Sequence, residues 1–128
     1  SSKPTGTTAT VSGGSGTGAA IASYGLQFVG YPYVRGGNSL TNGTDCSGFV
    51  NLIHAHFGIS TPRQSGALAG AGRAVSDADK LPGDVVCYYG HVGIYIGNNQ
   101  IVHASTAKTG IKVSNMYYRS ISCIRRYW

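Results

Sequence analysis

The sequence predicts an α+β domain, and three observations predict it. Apolar residues recur at helical spacing in the first half of the chain, around Ile21 and Phe49. From Leu81 onward the spacing changes to short alternating runs separated by turn residues, the pattern of a half-buried antiparallel sheet. Composition agrees, because 41% hydrophobic residues, only 11% charged residues and 20 glycines among 128 suit a loop-rich mixed fold better than a helical bundle. Helices first and strands after define the class. A chain of this length is one domain, able to bury about two thirds of its unfolded surface around a single core.

Taken in order, residues 5 to 20 are almost wholly Thr, Ser, Gly and Ala, a composition that buries too little apolar surface to order itself. Residues 1–18 are therefore expected to be a linker and 19–128 the folded domain. Ala20, Ile21, Tyr24 and Phe28 predict a first helix to about Val29, ended by Gly30. Tyr31 to Gly37 reads as an extended loop, with Pro32 fixing one dihedral and two glycines permitting a sharp turn. Phe49, Val50, Ile53 and Phe57 mark one face of a second helix, Ser47 to Phe57, terminated by Gly58. Thr61-Pro62 supplies an N-cap and a first-turn proline for a shorter third helix. Strands are predicted at 85–89, 91–97, 100–105, 111–115 and 121–127, with turns at Gly90, Asn98-Asn99 and Gly110.

Ten Lys and Arg against four Asp and no Glu give a net charge of +6, which favours anionic surroundings without choosing among them. The arginines are scattered, and neither a basic helix nor an aromatic ribonucleoprotein motif occurs, so nucleic acid is not an expected partner. No stretch approaches the roughly 20 apolar residues of a membrane span. The chain starts Ser1-Ser2, without Met or a signal peptide, as a processed or excised piece of a longer protein would. His54-Ala55-His56 places its two rings about 200° apart on a helix, and no Cys-x-x-Cys occurs, so no metal site is expected. Gly13-Gly14-Ser15-Gly16 lacks the lysine and the preceding strand of a phosphate loop. Three cysteines leave one unpaired if Cys87 and Cys123 bridge, and two buried free thiols are the alternative.

The chemistry-bearing run is Thr44-Asp45-Cys46-Ser47-Gly48-Phe49, where a Gly-rich loop gives way to the second helix. The helix dipole biases a thiol there toward thiolate, and an imidazole in reach completes a nucleophilic pair. His91, at the mouth of the second strand, is the candidate base, and His103 on the next strand is the candidate group that orients it. Because side chains alternate faces, a two-residue Asn98-Asn99 turn would put the two rings on opposite faces. A three-residue loop, Gly97-Asn98-Asn99, pairs Gly93 with His103 and leaves His91 a diagonal same-face neighbour about 7 Å away. The three-residue loop is therefore expected.

Six colinear phrases then carry a resemblance: Pro32-Tyr33-x-x-Gly36-Gly37, Asp45-Cys46-Ser47-Gly48-Phe49, Pro62-Arg63-x-Ser65, Leu81-Pro82-Gly83-Asp84, His91 to Gly97, and Ile101-Val102-His103-Ala104. From about Ala19 to its end the chain resembles the NlpC (p-sixty) family of papain-like cell-wall cysteine peptidases. The resemblance implies a papain-like fold, with N-terminal helices packed on a five- to six-stranded antiparallel sheet. It also implies a secreted or wall-associated bacterial D,L-endopeptidase that needs no cofactor. Its substrate would be peptidoglycan stem peptides, cut between γ-D-glutamate and diaminopimelate or lysine. In its terms Cys46 is the nucleophile, His91 the base and His103 the orienting residue, while the Tyr33 hydroxyl assists the oxyanion beside the Cys46 N–H. Asp45 and Ser47 match residues that meet the free amine of the stem, and Arg63 and Ser65 are carried over as substrate contacts.

Three departures bear on substrate preference. Arg35 stands where the family commonly has Trp and either pairs with a substrate carboxylate or is simply solvated. Leu68 replaces a frequent Gln, and Cys87 an aromatic residue. Tyr117, Tyr118, Tyr127 and Trp128 form either a platform for sugar rings or ordinary packing at the end of the sheet. Alternative activities on the same fold are N-acetylmuramoyl amidase and acyl transfer, and a further alternative is a catalytically silent wall-binding module. The domain is expected to be monomeric.

Overall fold

A computed structural model of the chain describes residues 11, 13, 14 and 16–128. Three helices, α1 (Gly16–Leu26), α2 (Cys46–His56) and α3 (Ser65–Gly70), precede most of the strands. A two-stranded ribbon of β1 (Asn38–Ser39) and β2 (Gly43–Thr44) lies just before α2. The main sheet contains β3 (Arg73–Val75), β4 (Val85–Tyr88), β5 (His91–Gly97), β6 (Gln100–Thr106), β7 (Gly110–Asn115) and β8 (Ile121–Arg126). It is antiparallel throughout, in the order β3-β8-β4-β5-β6-β7. The α+β class and the five strands stand as expected. β3 is a sixth strand that sequence periodicity does not reveal, three residues long and paired only with β8.

The sheet has two occupied faces. Val85, Cys87, Val92, Ile94, Ile96 and Val102 meet Ile21 of α1 and Phe49, Val50 and Ile53 of α2 in the larger cluster. Each of these buried aliphatic or aromatic side chains stabilises the fold by roughly 1.5–3 kcal/mol relative to exposure. Val86, Tyr88, Tyr95, Ile101, Met116 and Ile124 form a smaller cluster on the opposite face. The alternation along β5 therefore sends Val92, Ile94 and Ile96 toward the helices and His91, Gly93 and Tyr95 away from them.

Four expectations are corrected. α1 takes up Gly16, Thr17 and Gly18, which composition assigns to the linker, because Gly18 is buried where Trp128 and Pro82 close over the first turn. Residues 1–10, 12 and 15 of the expected linker lie outside the described residues. α1 also stops at Leu26 rather than near Val29, the chain leaving it through tight turns from Gln27 to Val29. α3 opens at Ser65, after Gln64, and Thr61 instead receives both hydrogen bonds of the Asn51 amide, to its carbonyl at 2.8 Å and to its hydroxyl at 3.0 Å. His54 and His56 read from sequence as surface or partly buried helix positions, but His54 is fully buried, its Nδ1 2.8 Å from the Val50 carbonyl, while His56 is exposed and stacks on Tyr24 with ring centroids 3.9 Å apart.

The β5–β6 hairpin meets the expectation about faces by a different route. Asn98 and Asn99 both have positive φ, 55° and 58°, as a two-residue type I′ turn requires. Gly97 pairs with Gln100 across it, but the next pair is Tyr95 with Ile101, so Ile96 is a β-bulge left out of the ladder. Beyond the bulge Ile94 pairs with Val102, the register of a three-residue loop. A side-chain carbon at Gly93 would lie 3.2 Å from the His103 Cβ, so glycine there makes room for that residue. Cys87 and Cys123 stand opposite each other on β4 and β8, and both are free thiols, Cys87 buried and Cys123 partly so. Leu68 and Cys87 are core residues, and Tyr127 and Trp128 pack on the same core.

Candidate active site

The first turn of α2 is built by Asp45. Its extended backbone (φ −86°, ψ −178°) makes it the N-cap, and its carboxylate accepts from the Gly48 N–H at 2.8 Å and from the Gly36 N–H at 3.1 Å. Arg63 completes the brace, pairing with that carboxylate at 3.0 Å while donating to the Ser47 hydroxyl and to Asn38, both at 2.8 Å, and to the Gly37 carbonyl at 3.2 Å. A side-chain carbon at Gly48 would strike Thr44, Asp45 and the Gly37 carbonyl, so glycine lets the loop press against the helix. Asp45, Ser47 and Arg63 are thus one hydrogen-bonded unit before any ligand arrives. Gly48 N–H being used by the cap, the N–H groups of Cys46 and Ser47 remain for the sulfur and for an incoming oxygen.

Cys46 is 8% exposed, and the backbone N–H groups of Val92, Ser47 and Cys46 itself lie near its sulfur. Val92 follows His91, so the start of β5 lies beside the first turn of α2, although the His91 ring is on the sheet face away from the helices. Burial pushes the thiol pKa up, with Asp45 adding to the effect and the three N–H groups opposing it. The thiolate expected from a helix start is therefore not the resting state, because desolvation outweighs the donors around the sulfur. Tyr33 makes a parallel bridge with Thr44, which brings its ring beside the same turn. Burial raises its phenol, and the nearby Cys46 and Asp45 raise it further.

His91 and His103 share a face, with His91 Nε2 2.7 Å from His103 Nδ1 and ring centroids 4.9 Å apart at 77°. His103 Nε2 in turn lies 2.8 Å from the Ser114 hydroxyl on β7. Burial, and secondarily the Arg119 guanidinium, lower His91 to about 4. Burial, His91, Lys112 and Arg119 lower His103 to about 3. Both rings are neutral at pH 7, so each carries one N–H and one bare nitrogen, and His91 Nδ1 is an acceptor only in the tautomer whose proton is on Nε2.

These depressed values carry a stability prediction. The unfolded histidines bind protons near pH 6.5 whereas the folded ones do not, so the unfolded state gains protons first as pH falls. Stability from His91 and His103 is full above about pH 6.5 and is lost on acidification toward about pH 4 and pH 3, and burial of His54 acts in the same direction. Each group contributes a slope of up to about 1.4 kcal/mol per pH unit. Urea midpoints at pH 7, 6, 5 and 4 should decline steadily; a flat series would contradict neutral burial.

Arg35, exposed in the turn between Tyr33 and Gly36, and Ser65, the first residue of α3, stand outside the hydrogen-bonded network that joins Asp45, Ser47 and Arg63. Tyr118 was reached by sequence only as part of an aromatic cluster, yet its ring centroid is 5.6 Å from that of His103 and its side chain is exposed. Tyr117 is tied to the Asp77 carboxylate, and Arg119 donates to the Tyr89 carbonyl at 2.8 Å. Ser114 and Arg119 carry no sequence signal of their own. Ser114 becomes legible only through the register, two positions beyond Lys112, the residue opposite His103. Among the described residues no group of three or more His, Cys, Asp or Glu is arranged to hold a metal, and no described helix is long and apolar enough to cross a membrane.

Comparison with known proteins follows the same lines. The profile of the NlpC/P60 family matches residues 30–124. A protein of Mycobacterium tuberculosis named as a probable endopeptidase is 40% identical over 107 residues, 81% of this chain and 28% of its own. The probable endopeptidase p60 of Listeria seeligeri is 41% identical over 96 residues, 71% of this chain and 18% of its own. The chain thus spans less than a third of these relatives. Among solved structures, the NlpC/p60 domain of the peptidoglycan hydrolase SagA superposes with a TM-score of 0.76 at 27% identity, covering 85% of this chain and 97% of that one. The peptidoglycan hydrolase RipB of Mycobacterium tuberculosis gives 0.73 at 30% identity, covering 86% and 66%. Motifs, topology and these likenesses agree, and the chain belongs to the NlpC/P60 family.

Proposed function

We propose that the domain is a cysteine endopeptidase that hydrolyses the γ-D-glutamyl–diamino acid bond of peptidoglycan stem peptides in the bacterial cell wall. The observation that supports it most is the pair of neutral, hydrogen-bonded imidazoles on strands whose first member starts beside the first turn of α2. Cys46 lies near the backbone of Val92, the residue that follows His91, and His91 Nε2 is 2.7 Å from His103 Nδ1. The names of the related proteins supply the class of substrate.

In this reading His91 Nδ1 takes the proton of the Cys46 thiol as the sulfur attacks the amide carbon. Charge then collects on the carbonyl oxygen, where the Cys46 N–H and the Tyr33 hydroxyl donate; a fixed donor of this kind is typically worth about 3–4 kcal/mol in the transition state. The proton passes from His91 to the leaving amine, a thioester remains on Cys46, and water activated at the same imidazole hydrolyses it. The Asp45 carboxylate, 18% exposed despite Arg63, faces a free amine on the stem, and Ser47, Arg63, Ser65 and Arg35 complete the substrate contacts.

Mass spectrometry of γ-D-glutamyl-diaminopimelate and γ-D-glutamyl-lysine stems, with and without a free alanyl amine, tests the reading. A new amino terminus on the diamino acid, absent with Cys46→Ala, is expected. Release of lactyl sugar from murein would identify an amidase instead, and turnover by Cys46→Ala would remove the nucleophile assignment.

A further inference from the structure

We propose that Ser114 is a positioning residue that sets which nitrogen of His91 carries the proton, and thereby whether the thiol has an acceptor. The inference rests on the catalytic reading of His91 given above. His91 Nε2, His103 Nδ1, His103 Nε2 and the Ser114 oxygen form a continuous run with contacts of 2.7 and 2.8 Å. A neutral imidazole has one N–H and one bare nitrogen, so a single proton placed at one end dictates the rest.

Two arrangements satisfy both contacts. In the first, His103 Nε2–H donates to the Ser114 oxygen, His103 Nδ1 is bare and accepts from His91 Nε2–H, and His91 Nδ1 is left bare. In the second, the Ser114 hydroxyl donates to His103 Nε2, His103 Nδ1–H donates to His91 Nε2, and His91 Nδ1 must carry the proton. Only the first leaves an acceptor for the thiol of Cys46. Lys112, opposite on β7, and Arg119, before β8, disfavour a further proton on the pair, so both rings stay neutral and the choice between the two arrangements falls to the Ser114 hydroxyl, whose oxygen accepts in the first. The Ser114 oxygen is then an acceptor, as a carboxylate would be, but without a negative charge that would stabilise an imidazolium. His103 is fully buried and Ser114 only partly so, which leaves the hydroxyl hydrogen free to turn outward while the oxygen accepts.

Nitrogen-15 spectra of histidine-labelled protein at pH 7 read the tautomers directly, without substrate. The expected pattern is His103 protonated at Nε2 and His91 at Nε2. Ser114→Ala should lose that uniform pattern and lower kcat on the order of 10–100-fold with little change in KM, and Ser114→Thr, which keeps the oxygen, should restore both. A wild-type spectrum with His103 protonated at Nδ1 overturns the proposal by itself, whether or not the variants fold. A Ser114→Ala protein with wild-type tautomers overturns it also, even if kcat falls. Inactivity of the wild type on stem peptides, with the expected tautomers present, would sink the peptidase reading while leaving the proton arrangement intact.

Discussion

Replacing His91 with alanine should lower kcat/KM on stem peptides by on the order of 10²–10⁴-fold, the usual contribution of a positioned base. The depth of the loss follows from the state of the sulfur. Cys46 is buried, its pKa is pushed up, and without an adjacent acceptor its proton can leave only to solvent. The residual rate of His91→Ala should therefore climb with pH through the neutral range. In the wild type the base is lowered to about 4, so its activity should persist well below pH 6.5 before failing. Parallel pH profiles of kcat/KM for the two proteins, with folding checked by circular dichroism, decide the matter. A His91→Ala enzyme with undiminished activity would show that another group accepts the proton.

Arg126→Leu should cost about 3–5 kcal/mol of folding stability, the loss typical when one partner of a buried ion pair is removed. Asp84 has no exposed surface, and its carboxylate is held by Arg126 through two contacts, 2.7 and 2.9 Å, plus the Leu81 N–H at 2.8 Å. With the guanidinium gone, a fully buried charge retains one backbone donor. The guanidinium also covers the Trp128 ring at 4.6 Å, so packing at the chain's end is lost too. Melting should drop by roughly 10–25 °C for a domain of this size. The double variant with Asp84→Asn should recover part of the loss by removing the stranded charge, and a single variant melting within a few degrees of the wild type would mean that water reaches Asp84.

That ion pair explains a motif which the sequence displays without a role. Leu81-Pro82-Gly83-Asp84 precedes the first long strand, and its carboxylate fastens β8 to the start of β4. Long periodic elements were legible because burial enforces their period: α2 begins one residue earlier than its apolar face predicts, and the longer strands agree within one or two residues. What escaped was decided by partners distant in sequence. β3 is short, with its first two residues exposed, and exists through β8. Thr61 resembles a helix cap, but Asn51 occupies its side chain and carbonyl. The shared face of His91 and His103 follows from requiring an imidazole to reach its orienting partner, and the two rings do meet, whereas the bulge at Ile96 that produces this leaves no mark in composition. Cys46, His91 and His103 could be singled out by motif, and Ser114 could not, since one serine in a strand looks like any other.

The sequestered state of Cys46 has a consequence for durability. Peroxides and soft electrophiles attack the sulfur anion, so a protonated, largely covered sulfur resists sulfenic acid formation and stray alkylation. In the proposed mechanism this confines the reactivity of the sulfur to the moment when His91 takes its proton, and slow alkylation of the free protein by iodoacetamide at pH 7 is the expected result.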